Sequence, residues 1–158
     1  MIYETNKFQL KISENVGRTF LYYRQLEMQH TEAGGVLLGR FLSQSNDVVI
    51  DKITVPMKND IRTRFFFKKN RVDHQSIIDK VWKKSDGTCN YLGEWHTHPE
   101  EHPTPSAHDK NEWKKILKHT VCDSDKLFFI IIGTKSISVW VGFKNDLKII
   151  KLKKINLK

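Results

Sequence analysis

A chain of 158 residues, 39% hydrophobic and 11% aromatic, can bury about two-thirds of its unfolded surface and reads as one domain over residues 1–158. No stretch approaches the ~20 apolar residues of a membrane span, low-complexity tracts are absent, and MIYETNKFQLKIS lacks the basic-then-apolar order of a signal peptide. A net charge of +9 favours acidic partners or nucleic acid as a general expectation, and the distant Cys89 and Cys122, which form no CxxC, point to a reducing, cytoplasmic setting.

In chain order, FQLKIS is a short strand. SENVGRTFLYYRQLEMQH follows as a helix with Ser13 as N-cap and Val16, Phe20, Tyr23 (or Leu21) and Leu26 near helical spacing. TEAGG breaks it and leads into GVLLGRFL, a buried strand. SQSND is a turn, and VVIDKITVP is a second strand ended by Pro56. RTRFFFKKNR reads as a strand whose basic flanks enclose a buried-looking phenylalanine run. VDHQSIIDKVWKKSDG is then an amphipathic helix closed by Gly87.

YLGEWHTHP is a strand stopped by Pro99. A loop stiffened by Pro103 and Pro105 leads to a helix from Ser106 to about His119, and LFFIIIG with SISVWVGF forms a late hairpin-like pair. The end, KIIKLKKINLK, alternates Lys with Ile and Leu. It reads as an edge strand whose lysines discourage aggregation, with an acidic-partner patch as the other reading. Strands and helices mix without strict βαβ repetition, so the class is α+β or mixed α/β, a central sheet flanked by helices.

Residues 92–109, LGEWHTHPEEHPTPSAHD, hold four of the seven histidines. His96 and His98 are two apart on a strand, so both imidazoles leave one face, where they make poor core and good metal ligands. Asp109 follows after a proline-stiffened turn that can return it to the strand end. Two histidines and a carboxylate, with a fourth position left to water, form the ligand set of a catalytic zinc. A closed structural site would usually recruit a cysteine, and neither cysteine has the spacing. SAHD is equally a capping box, Ser106 capping the helix and Asp109 reaching back. Trp95 points away from His96 into the core. His102, His108, His30, His74 and His119 read as loop or helix-surface residues.

The spacing His96-x-His98-Pro99, six residues, then Ser106-x-x-Asp109 resembles the JAMM (JAB1/MPN/Mov34) metalloprotease motif without a gap. At ~5% usage per position, five specified residues recur by chance in roughly 5 × 10⁻⁵ of chains this long, which sets coincidence aside. The family also carries a glutamate before glycines at a strand start, and TEAGGVLLG supplies Glu32 there. The agreement of elements runs along essentially the whole chain and implies an MPN/JAB, cytidine-deaminase-like architecture with a mixed sheet.

The resemblance implies that His96, His98 and Asp109 hold one Zn²⁺, which acidifies a water and polarises the scissile carbonyl. It implies that Glu32 takes the water's proton and passes it to the leaving amine, and that Ser106 stabilises the oxyanion. The activity implied is peptide or isopeptide cleavage after the C-terminal tail of a ubiquitin-like or conjugated protein, the tail lying extended beside a strand.

Short connections at SQSND and HTVCDSDKL leave no room for the insertions of eukaryotic chain cutters. The compact form resembles bacterial JAB proteins. RTRFFFKKNRVDHQSIIDKVW with YLGEWHTHPE resembles the deconjugating peptidases of CBASS antiphage operons, which remove a conjugated cGAS-like nucleotidyltransferase attached by an E1/E2-like ligase. The competing readings are a JAB peptidase maturing or releasing a ubiquitin-like sulfur carrier, a non-catalytic MPN scaffold, a nucleic-acid-associated JAB protein and a Cys–His protease. The scaffold would normally lack a ligand or the glutamate. Nucleic acid is not expected as a partner, because the Phe run lacks exposed aromatic interleaving.

Overall fold

The computed structural model describes residues 1–156 as eleven strands and three helices. The elements are β1 (Ile2–Glu4), β2 (Gln9–Ile12), α1 (Glu14–Tyr22), β3 (Gly34–Phe41), β4 (Val48–Ile53), β5 (Ile61–Thr63) and β6 (Phe66–Lys68). There follow α2 (Arg71–Lys84), β7 (Asn90–Thr97), α3 (Ala107–His119), β8 (Lys126–Ile132), β9 (Ile137–Phe143), β10 (Ile149–Lys151) and β11 (Lys153–Ile155). Nine strands form one mixed sheet in the order β10-β9-β8-β7-β3-β4-β2-β1-β11, parallel at β2–β4 and β7–β8, with β5–β6 a separate hairpin. This is the mixed α+β sheet flanked by helices that the resemblance implies. Among the described residues no helix is long and apolar enough to cross a membrane.

β8 explains how such a sheet is held. Phe128, Ile130 and Ile132 enter one core with Leu10, Ile50 and Trp95, while Leu127, Phe129 and Ile131 enter a second under α3 with Trp113, Leu117 and Trp140. A strand covered on both faces needs an unbroken apolar run, and LFFIIIG is one. A third, smaller cluster of Val36, Leu38 and Cys89 lies under α2.

Four expectations fail, each for a tertiary reason. The first helix ends at Tyr22, well short of His30. Beyond it Arg24 donates to the Thr134 carbonyl at 3.0 Å, and the buried Gln25 amide donates to the Arg64 carbonyl at 2.8 Å. Leu26 is left exposed, so the helical period there has no core to follow.

RTRFFFKKNR is no buried strand. It is the β5–β6 hairpin, with Phe65 75% exposed and Phe66 36% exposed. Three consecutive phenylalanines cannot all face inward, and Phe67 alone turns in, onto Gly34.

The C-terminal strand is split between the two sheet edges. β10 pairs with β9 and β11 with β1, and only the buried Leu152 separates them, its N–H donating to the Val139 carbonyl at 2.9 Å. The edges therefore meet, and Tyr3 Oη reinforces the seam by donating to the Ile137 carbonyl at 3.2 Å. Residues 157 and 158 of the expected strand lie outside the described residues.

His74, read as surface, is 1% exposed. It sits 2.7 Å from Thr54 Oγ1 and 3.0 Å from the Asp60 carboxylate.

Candidate active site

The site starts from strand register. β3 and β7 are antiparallel with Gly34 opposite His96, and the bond from Thr97 N–H to the Ala33 carbonyl at 2.8 Å continues the ladder. Extending the register two residues back from Gly34 and two on from His96 brings Glu32 opposite His98. Period-two alternation places both histidines and Glu32 on one face and Thr97 and Trp95 on the other. Gly34 and Gly35 allow close approach: a Cβ on Gly34 would meet the Phe67 ring at 2.5 Å, and one on Gly35 would run into the Thr54 carbonyl.

Asp109 arrives from α3. Ser106 N-caps this helix in a full capping box: Asp109 N–H donates to Ser106 Oγ at 3.1 Å, and Ser106 N–H donates to Asp109 Oδ2 at 2.7 Å. Ser106 Oγ also donates to Asp109 Oδ2 at 2.8 Å. One turn on, the Trp113 ring stacks on Phe129 with centroids 4.8 Å apart, fixing the rotation of α3 and so the direction of Asp109.

His96 Nε2 and His98 Nε2 are 2.9 Å apart; the first lies 3.2 Å from Asp109 Oδ1 and the second 3.3 Å from Asp109 Oδ2. Four-coordinate zinc with Zn–N bonds of ~2.0 Å puts its ligands ~3.3 Å apart, close to these separations. With both Nε2 atoms turned into the cluster, the ring proton of His98 belongs on Nδ1. Among the described residues that buried atom has no hydrogen-bond partner, and Glu100 Oε1 stands 3.3 Å away, where a carboxylate would orient a ligating imidazole. The donor set thus fits a divalent metal ion.

The electrostatics are those of a closely packed acid–base cluster. Burial pushes the Glu32 carboxyl up to about 8, with Asp109 and Glu100 adding to the rise and His98 opposing it. Burial disfavours charge on His98, but hydrogen bonding and attraction from Asp109, with help from Glu32 and Glu100, raise its pKa above the ordinary value. Burial pushes the Asp109 carboxyl upward too. Hydrogen bonds from His96 and His98, then the Ser106 N–H, outweigh it and hold the group well below the usual range.

Glu32, His96, His98, Ser106 and Asp109 all line one cleft of about 980 Å³, walled on one side by the hairpin through Phe66. His108 also reaches this cleft, its ring 5.9 Å from that of Phe66, while His102 faces away to Ser136 Oγ at 3.0 Å. Thr97 was not singled out in the sequence. Its Oγ1 accepts from Ala33 N–H at 2.9 Å and donates to Gln25 Oε1 at 2.9 Å, tying the strand that carries the histidines to the segment that carries Glu32. A polar residue on the core-facing side of a strand was the available signal.

The family described as prokaryotic homologs of the JAB domain matches residues 18–142. A Vibrio cholerae protein named CD-NTase/cGAS isopeptidase is 37% identical over 144 residues, covering 91% of this chain and 87% of that protein. A Sinorhizobium fredii protein named "Probable metalloprotease y4qB" is 35% identical over 88 residues, 55% of this chain and 53% of its own. The solution structure of a Desulfitobacterium hafniense protein superposes with a TM-score of 0.63 at 20% identity, covering 94% of this chain and 92% of that one, a likeness of fold.

Proposed function

The chain belongs to the family of prokaryotic homologs of the JAB domain and is a JAMM-type hydrolase, and on that premise we propose that it is a zinc isopeptidase that releases a conjugated cGAS-like nucleotidyltransferase from its targets in bacterial antiphage defence. The observation that carries the reading is the convergence of Glu32 with the His96–His98–Asp109 cluster in one cleft of a chain similar over 91% of its length to the Vibrio cholerae isopeptidase. Its pathway partner would be the E1/E2-like ligase that makes the conjugate.

In this reading His96, His98 and Asp109 would hold the ion. When bound, the ion supplies Lewis acidity toward the scissile carbonyl and toward water. The chain does the rest. Glu32 lines the cleft beside the cluster, where its carboxylate can take a proton from the attacking water and return it to the leaving lysine amine. Water adds to the carbonyl carbon, the C–N bond breaks, and a carboxylate and an amine leave. Ser106 Oγ stands at the cleft as a donor for the oxyanion, a role that requires its hydrogen to turn away from Asp109. The hairpin phenylalanines give the tail an apolar wall beside the reacting bond.

The test is cleavage by purified protein of a lysine-linked nucleotidyltransferase conjugate. Loss of cleavage with a chelator and recovery with zinc is expected. Salt-sensitive DNA binding without cleavage would instead support the nucleic-acid reading. Cleavage of a linear carrier precursor, with the conjugate untouched, would make the enzyme a maturation peptidase.

A further inference from the structure

Among the described residues no hydrogen bond orients the Glu32 carboxyl, so its position depends on its backbone. That backbone is gripped on both sides by one strand. The Glu32 N–H donates to the Thr63 carbonyl at 2.7 Å, and Arg62 Nε donates to the Glu32 carbonyl at 2.7 Å. Both partners belong to β5, in the hairpin that walls the cleft. From the opposite side Thr97 holds Ala33. Glu32 is therefore one of the points at which the hairpin is joined, through Ala33 and Thr97, to the strand carrying the histidines.

The hairpin is itself anchored at each part of its length. At its base Asp60 Oδ1 accepts from Asn70 N–H at 2.7 Å, closing the two ends together. Asp60 Oδ2 accepts from Met57 N–H at 2.7 Å and meets His74 Nε2 at 3.0 Å. His74 continues to Thr54 Oγ1, which accepts from Val36 N–H at 2.8 Å in the sheet. In the middle, Phe67 occupies the space left by Gly34. At the tip, Arg64 donates to the Glu27 and Met28 carbonyls at 3.0 and 2.8 Å. A support fixed at three places is rigid enough to set the position of what it holds.

We propose that Arg62 is a positioning residue for Glu32, its guanidinium holding the Glu32 carbonyl so that the carboxyl, at the end of the same residue's side chain, faces the reacting bond. The proposal rests on the reading that Glu32 handles the proton. Arg62 does not itself line the cleft and meets its lining through the Glu32 main chain, and it is exposed, so its removal leaves the core and the cluster intact. Small displacements of a catalytic group cost up to about 10²-fold in rate.

The experiment compares Arg62→Ala, Arg62→Lys and Glu32→Gln in the full zinc-loaded chain, on the lysine-linked conjugate. Arg62→Ala is expected to lower kcat about 10- to 100-fold with KM changed less than about twofold and one zinc retained. Arg62→Lys, which can still donate to the same carbonyl, is expected to recover most of that loss. Independently of activity, hydrogen exchange at the Glu32 amide should speed up in Arg62→Ala and return toward wild type in Arg62→Lys. Wild-type kcat and wild-type protection in Arg62→Ala would overturn the proposal, as would a loss that appears in KM or in zinc content. If Glu32→Gln is inactive while Arg62→Ala behaves as wild type, only the positioning role fails; if Glu32→Gln turns over normally, the base reading fails and takes the positioning role with it.

Discussion

His96 Nε2 and His98 Nε2 stand 2.9 Å apart and share the two oxygens of Asp109. Three ligand atoms gathered on one point bind a small cation far better than any pair of them. Purified protein is expected to carry close to one zinc per chain, and His98→Ala to lose it. Zinc at 1,000 times its dissociation constant should stabilise the wild type by about 4 kcal/mol and leave His98→Ala unmoved. Full occupancy in that variant, by metal analysis, would remove the assignment.

Without a metal, the site makes stability depend on pH in a definite direction. The depressed Asp109 contributes stability present above 3.8 and lost as pH falls through its folded pKa. The raised His98 contributes stability present below 6.5 and lost as pH rises through its folded pKa. Between 4.5 and about 8 the folded state keeps a proton on Glu32 that the unfolded chain has released, so stability falls as pH rises through that window. The melting temperature of chelator-stripped protein should therefore be highest in the mildly acidic range and decline toward pH 8. Saturating zinc should reverse the decline, because the ion competes with protons for the same atoms. A metal-free melting temperature that rises across the window contradicts the charge states described.

Glu32→Gln separates chemistry from folding. It keeps the shape and backbone bonds of the residue while removing the proton carrier. Turnover should drop by about 10²–10⁴-fold with zinc retained, and the metal-free variant should be more stable than wild type near pH 8, where the buried carboxylate is a liability. Retained turnover contradicts the base role.

Ser106→Ala touches two functions at once. Loss of the cap costs about 1 kcal/mol, and loss of the hydroxyl bond at 2.8 Å leaves Asp109 Oδ2 with the Ser106 N–H but one donor fewer. A large rate loss with a stability change no bigger than the cap would mark an oxyanion donor. A weakened zinc affinity accounting for the whole rate loss would mark a residue that only orients Asp109.

His74→Ala removes the buried partner of Asp60 and leaves Thr54 Oγ1 facing a cavity. Leaving these buried polar groups without their partner costs about 1–3 kcal/mol, read as a fall in the urea midpoint. A surface histidine would move it by less than about 0.5 kcal/mol.

The parts of the molecule legible in the sequence are those whose cause is local. His96 and His98 share a face because strands alternate. Ser106 and Asp109 cap a helix because of their spacing. LFFIIIG is buried because nothing in it is polar. Glu32 was legible through its place before two glycines, though the reason for those glycines, room for Phe67 and Thr54, lies in distant segments. The rest depended on partners that no local pattern names. The end of α1 is decided by Gln25 and Arg24 finding carbonyls at Arg64 and Thr134. Which phenylalanine of the hairpin turns inward is decided by Gly34, and the split of the last strand by two edges that meet at Leu152.

The proposed reaction removes a nucleotidyltransferase from lysines of its target proteins in the cell. The most direct measurement compares the source cell expressing wild type with one expressing Glu32→Ala, using proteomics for lysines that carry a foreign C-terminal remnant. Accumulation of the nucleotidyltransferase remnant in the variant alone is expected; no remnant in the variant while the ligase is expressed, or equal amounts in both cells, would contradict the claim.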